Sequence, residues 1–251
     1  MKKFFFKTQL LVIIILSFSF FKQTGTFKTE QIKNKRVKLA YDTKWEDLKK
    51  LMQAKKINPQ KFSLYLRVFK LEKEFEIWVK NTDDAKFQLL KTIPICANSG
   101  ALGPKRKEGD LQVPEGFYEI SAFNPNSSYN LAIKVNYPNA SDRIKGAGGR
   151  LGGDIMVHGE CVTIGCIPLQ NDPIRDVYIL CVEARNRSSK IKIDIFPCKF
   201  SKQNINMLKE NYNTDKVSFW ESIKEGYLYF EEHKHLPKIT VSKKGDYVFA
   251  N

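Results

Sequence analysis

Twelve residues, Val157 to Pro168, read "VHGECVTIGCIP" and hold one of the chain's three histidines and two of its five cysteines. Three chemistries fit these residue types. A zinc ion accepts imidazole nitrogen and thiolate sulfur, which makes His158, Cys161 and Cys166 candidate ligands. Against it, the two cysteines lie five positions apart rather than in a tight Cys-x-x-Cys, and His233 and His235 sit on a separate terminal segment. A Cys161–Cys166 disulfide is possible if the residues between them turn tightly. The third chemistry is a nucleophile beside its base: a thiolate attacks a carbonyl, and a nearby imidazole takes the thiol proton. Gly165, directly before Cys166, lets the backbone turn sharply and approach a substrate. On residue types alone all three remain open.

The elements that must position these side chains follow from periodicity. Asp154 to Val157 reads as a strand that would carry His158 at its end. Before it, Trp45, Leu48, Leu51 and Met52 recur at helical spacing, and Asn58-Pro59 stops that helix. Phe62, Leu64, Leu66 and Val68, then Phe75, Ile77 and Val79, alternate as strands. The run "FQLLKTIPIC" is a further strand, with Pro94 placing it at a sheet edge or at its own end. The segments "NSGALGPKRKEGD" and "SAFNPNSSYN" read as loops around a strand "VPEGFYEI", with Asp110 and Glu115 as turn residues. Pro173 beside Asp172 opens a helix, Lys190 to Phe196 alternates again, and Ser218-x-x-Glu221 resembles a capping box. A helical face of Phe219, Trp220, Tyr227 and Phe230 reads as packing surface, and "ITVSKKGDYVFA" as a closing hairpin. The expected class is α+β, strand-dominated, with helices fore and aft.

The first residues bear on compartment. Lys2, Lys3 and Lys7 precede an apolar run, Leu10 to Phe21, which has the length of a signal-peptide core and is short for a membrane span. Residues 1–22 are therefore expected to be a signal peptide or an N-terminal inner-membrane anchor, with the rest exported to the periplasm or cell envelope. Residues 23–60 read as a lysine-rich linker, to about Leu39, followed by a helix. The formal charge of +15 favours anionic surfaces in general. Nucleic acid is excluded as a partner, because the basic residues lack interleaved aromatics on a binding motif and the chain reads as exported. Five cysteines leave at least one thiol without an intramolecular partner.

His158-Gly159 followed by Thr163-x-Gly165-Cys166 resembles the signature of the L,D-transpeptidase (YkuD-type) catalytic domain. "KEGDLQVPEGFYEI", "NYPNASDR" and "FWESIKEGYLYFEEHKHLPK" resemble its YafK-like branch. The resemblance covers roughly residues 60–250. It implies a β-sandwich-type catalytic domain at 61–200, with 201–251 a C-terminal helix and hairpin packed on it. It implies Cys166 as nucleophile, His158 as general base oriented by the carbonyl of Gly159, and the amides of Gly165 and Cys166 as oxyanion donors. Thr163 is a candidate substrate-binding residue, and Arg143, Arg150 or Lys145 could supply positive charge for a substrate carboxylate. The chain departs from the family pattern at Ile164, where many members carry a second histidine, and at Pro168, where many carry an arginine. The implied partner is peptidoglycan, through its stem peptides and possible wall-attached proteins, with no metal and no cofactor. Acyl transfer from the thioester would go to an amine or to water, and the YafK-like branch includes enzymes that release wall-bound proteins. The alternative is a catalytically silent wall-binding module of the same fold.

Overall fold

The computed structural model describes residues 26–250 apart from Ala147 and Ser188, so the apolar run Leu10–Phe21 lies outside the described residues. Among those described, no helix is long and apolar enough to cross a membrane. Helices α1 (Phe27–Ile32) and α2 (Lys35–Ala54) precede strands β1 (Phe62–Phe69), β2 (Glu74–Asn81), β3 (Gln88–Pro94), β4 (Gly116–Ser127) and β5 (Asn130–Val135). Then come α3 (Ala140–Lys145), β6 (Met156–His158), β7 (Ile167–Pro168), α4 (Asn171–Asn186) and β8 (Lys192–Phe196). Helices α5 (Lys202–Asn211) and α6 (Thr214–His233) and the hairpin β9 (Lys238–Val241) and β10 (Tyr247–Ala250) close the chain.

The eight strands β1–β8 form one sheet in the order β3-β2-β1-β8-β4-β5-β6-β7. The β1–β8 and β6–β7 pairs are parallel and the others antiparallel. Strand β4 joins the two halves: Gly116–Glu119 pair with β8, and Ile120 onward pairs with β5 across two register shifts. Bulges of this kind sharpen local twist, which lets a long strand turn from one half to the other. The class is α+β and strand-dominated, as expected.

Alternation sorts the two cores. Phe62, Leu64, Leu66 and Val68 of β1, with Phe75, Ile77 and Val79 of β2, join the main core with residues of α2 and α4. The intervening residues face the other way, where Tyr65 and Trp78 pack on Phe230 of α6. Arg67 sits on that second face, 3% exposed, donating from Nε and Nη2 to Glu76 and from Nη1 to Glu231. Pro94 ends edge strand β3, where a missing backbone donor costs nothing.

Four expectations require correction. The presumed linker to Leu39 is helical and packed: Lys28 bridges to Glu183 of α4 at 2.5 Å, and Tyr178 donates to Gln31. "SAFNPNSSYN" is the distal half of β4 and its turn into β5, because cross-strand pairing overrides the local turn chemistry of Asn, Pro and Ser. Ser218 does not cap α6; the helix starts four residues earlier, with the Asn213 side chain accepting from the Lys216 amide. Glu115 is fully buried rather than a turn residue. It bonds Lys70 at 2.9 Å, the Trp220 indole at 2.6 Å and the Gly103 amide at 2.8 Å, tying down the long loop between β3 and β4.

Candidate active site

His158 ends β6 and Cys166 immediately precedes β7, at the edge of the sheet. The parallel register pairs Val157 with Ile167 and His158 with Pro168. Alternation then puts Cys166, two residues before Pro168, on the same face as His158 and diagonal to it. The register thus places the two residues on one face of the sheet, across the seven-residue loop that separates them.

The imidazole is 2% exposed. Its Nδ1 lies 2.5 Å from the carbonyl oxygen of Gly159. A carbonyl can only accept, so Nδ1 carries the proton and Nε2 presents a lone pair. Burial lowers the histidine's pKa, an effect that the Gly159 carbonyl and Glu160 oppose. Tyr129 lies against the ring, with centroids 4.8 Å apart. Asn171, at the start of α4, accepts the Glu160 amide at 3.0 Å and fixes the chain just beyond the histidine. A Cβ on Gly159 would come within 2.5 Å of Asn171 Oδ1 and 2.8 Å of the Tyr129 carbonyl, so this position has no room for a side chain.

The Cys166 thiol is half-buried and in its neutral form. Burial raises its pKa, and Asp154 raises it further, against the Met156 amide and the charge of Lys105. Sγ accepts from the Met156 amide at 3.4 Å and donates to the Asp154 carbonyl at 3.5 Å; it makes no hydrogen bond to His158. Both shifts favour the uncharged forms of Cys166 and His158 at neutral pH. Lys105 is itself held by Asp110, 2.5 Å away, and by the Lys107 carbonyl.

Gly165 has φ +135°, a backbone that L side chains rarely adopt. Thr163 closes the turn: its hydroxyl donates to the Cys166 carbonyl at 2.8 Å and accepts the Gly165 amide at 3.1 Å. The Gly165 amide, expected to face an oxyanion, is here bonded to the Thr163 hydroxyl, which ties the turn together. The Cys166 amide has no hydrogen-bond partner among the described residues. The two arginines differ in placement. Arg150 bonds Glu108 at 3.1 Å and lines an open cleft of about 450 Å³ with Asp154, whose carbonyl holds the thiol. Arg143 turns back on the Pro138 carbonyl beside its own helix.

Cys161 pairs with Cys96, which follows β3, and not with Cys166. The disulfide removes Cys161 from any metal-ligand set and clamps the middle of the His–Cys loop, while Val162 and Ile164 stay exposed at 52% and 78%. Its partner could not be chosen from spacing, since it comes from a segment 65 residues away. Tyr129, Asn171 and Lys105 also escaped the sequence reading, because each reaches the site from a separate element and carries no local motif.

The chain belongs to the L,D-transpeptidase family. The assignment rests on a sequence match to YafK of Escherichia coli (strain K12), a protein provisionally named as an L,D-transpeptidase: the two are 36% identical over 190 residues, 74% of each chain. No family model matches the chain. Among solved structures, the helical cell shape determining protein Pgp2 of Campylobacter jejuni aligns at 20% identity and a TM-score of 0.44, over 72% of this chain and 73% of that one. Mycobacterium tuberculosis L,D-transpeptidase 1 aligns at 14% identity and a TM-score of 0.28, over 53% and 62%.

Proposed function

We propose that this protein is a cysteine-dependent acyl-transfer enzyme of the cell wall, acting on peptide carbonyls of peptidoglycan stems with Cys166 as nucleophile and His158 as base. The observation that carries this reading is the fixed tautomer of His158: its Nδ1 proton is held by Gly159, and its free Nε2 lone pair lies on the sheet face that bears Cys166. A neutral thiol beside a neutral imidazole suits general-base attack. As Sγ bonds to the substrate carbonyl carbon, its proton passes to Nε2. The imidazolium then returns that proton to the departing amine, leaving a thioester. An incoming amine or water attacks the thioester, and its proton restores the thiol. The Cys166 amide is the first oxyanion donor. The Gly165 amide becomes a second one only if it exchanges its bond from Thr163 to the substrate oxygen.

Export of the chain fits two observations: the charged and apolar pattern of residues 1–22, and a disulfide between Cys96 and Cys161, which persists in oxidising compartments. Peptidoglycan as substrate is drawn from the family. Release of wall-attached proteins by water and cross-linking by amines share the same thioester and differ only in its acceptor.

The test is mass spectrometry of murein fragments incubated with the protein and with Cys166→Ala. New cross-links or amino-acid exchange absent from the variant would identify a transferase. Loss of a residue or attached peptide would identify a hydrolase. No Cys166-dependent change on any murein would overturn the proposal and leave a silent wall-binding module.

A further inference from the structure

A second cavity, of about 340 Å³, lies under the C-terminal hairpin, between β9–β10 and the outward face of β4 and β8. β8 and β7 are four steps apart in the sheet, roughly 19 Å at the usual strand spacing, so this cavity is separate from Cys166. Its roof is apolar, formed by Leu236, Pro237, Ile239 and Val241. Its floor holds Asp194, which is 5% exposed.

Asp194 is short of donors. Its Oδ2 accepts from the Tyr65 hydroxyl at 2.6 Å, and among the described residues that is its one hydrogen bond. A carboxylate offers about four acceptor positions, and a buried one normally fills most of them. The other oxygen of Asp194 has no hydrogen bond among the described residues, and the residue lines the cavity. The nearby cations are committed elsewhere: Lys192 to Glu119 at 2.6 Å, and Arg67 to Glu76 and Glu231. On a chain of formal charge +15, this cavity therefore presents a buried acid beneath an apolar roof, with Arg67 and Lys192 near it but each bonded to other carboxylates.

We propose that the cavity binds a small organic ammonium ion carried on an apolar body, with the ammonium donating to Asp194 and the body packed under the hairpin. Left to the protein alone, burial pushes the Asp194 carboxyl up to about 7; a cation beside it would favour the ionised form. The size suits a phenylalkyl or branched alkyl amine rather than a peptide. Glu119 and Lys192 pair with each other at the mouth and add no net charge there, which leaves Asp194 as the group that selects a cation.

Isothermal titration of the full chain at pH 8 with 3-phenylpropylamine and its neutral isostere 3-phenylpropan-1-ol tests this. The amine should bind and the alcohol bind at least tenfold more weakly, since a hydrogen bond to a charged group is worth roughly 1.5–3 kcal/mol, or about 10- to 100-fold. Asp194→Asn keeps an acceptor for Tyr65 and should remove that preference. Val241→Trp, which fills the cavity from the hairpin, should abolish binding of both compounds while Cys166→Ala leaves binding unchanged. Equal binding of amine and alcohol, no binding of either, or amine binding that survives both cavity variants would overturn the proposal.

Discussion

At the scale of single residues, the site couples a thiol raised by burial to an imidazole lowered by burial. Neither shift produces a thiolate–imidazolium pair at rest, and this has a pH signature. With a pKa above 9.0, fewer than about one Cys166 in a hundred is ionised at pH 7. Iodoacetamide labelling of Cys166, followed by peptide mass spectrometry, should therefore keep rising beyond pH 9; a plateau below pH 7 would show an ion pair instead. Cys161 offers no thiol for comparison, because it is bonded to Cys96. Turnover behaves differently. In the proposed mechanism His158 takes a proton only when neutral, and its pKa lies below the ordinary 6.5, so the acid limb of kcat/KM should fall below pH 6.5. His158→Ala should cost about 10²- to 10⁴-fold in kcat while leaving free-enzyme labelling nearly unchanged. Parallel loss of labelling and turnover would mean that His158 activates the thiol before substrate arrives.

At the scale of elements, the His–Cys loop is held at three points: Asn171 at its start, the Cys96–Cys161 disulfide in its middle and Thr163 at its end. Thr163→Val removes two hydrogen bonds at the end, a cost of about 1–3 kcal/mol, and frees the Gly165 amide. If the turn is what aims Cys166, kcat should drop in Thr163→Val and return in Thr163→Ser, which retains the hydroxyl. The double variant Cys96→Ser/Cys161→Ser opens a loop closed across 65 residues, and chain entropy puts its cost at about 4 kcal/mol. Denaturant melts of the oxidised protein, the reduced protein and the double variant would check this, the last two being expected to coincide. These contacts also mark where sequence reading ends. A histidine at a strand end and a cysteine after glycine are visible in twelve residues, because strand period and glycine chemistry act locally. The alternating sets of β1 and β2 were visible for the same reason. Cys96, Tyr129 and Asn171 were not, since only the folded sheet makes them neighbours of the loop. The start of α6 and the length of β4 depart from the local signals because tertiary pairing outweighs a local capping pattern and a turn-rich composition.

At the scale of the whole molecule, two apolar layers clasp a sheet that carries acids inside it. The main core lies against α2 and α4, and the second core lies under α5, α6 and the hairpin. Asp194 on β8 and Asp142 on α3, beside the sheet, are both buried, and burial raises them to about 7 and about 6. Both folded values exceed the ordinary 3.8, so between pH 4 and 7 the folded chain binds more protons at these two sites than the unfolded chain does. Their contribution to stability is complete below pH 4 and is lost as pH rises through the folded values. His158 acts in the opposite sense: its folded value lies below 6.5, so its penalty is relieved as pH rises toward that value. The net slope of the native protein is therefore a difference, and the contribution of Asp194 has to be isolated by subtraction. Asp194→Asn keeps an acceptor for Tyr65 and removes the proton. Urea melts of the native protein and the variant from pH 4.5 to 8 should show the variant gaining relative stability as pH rises, with most of the gain below pH 7 and a levelling above it. A difference that is flat across this range would mean that Asp194 titrates near its unfolded value, and that the sheet supplies donors enough to hold it ionised.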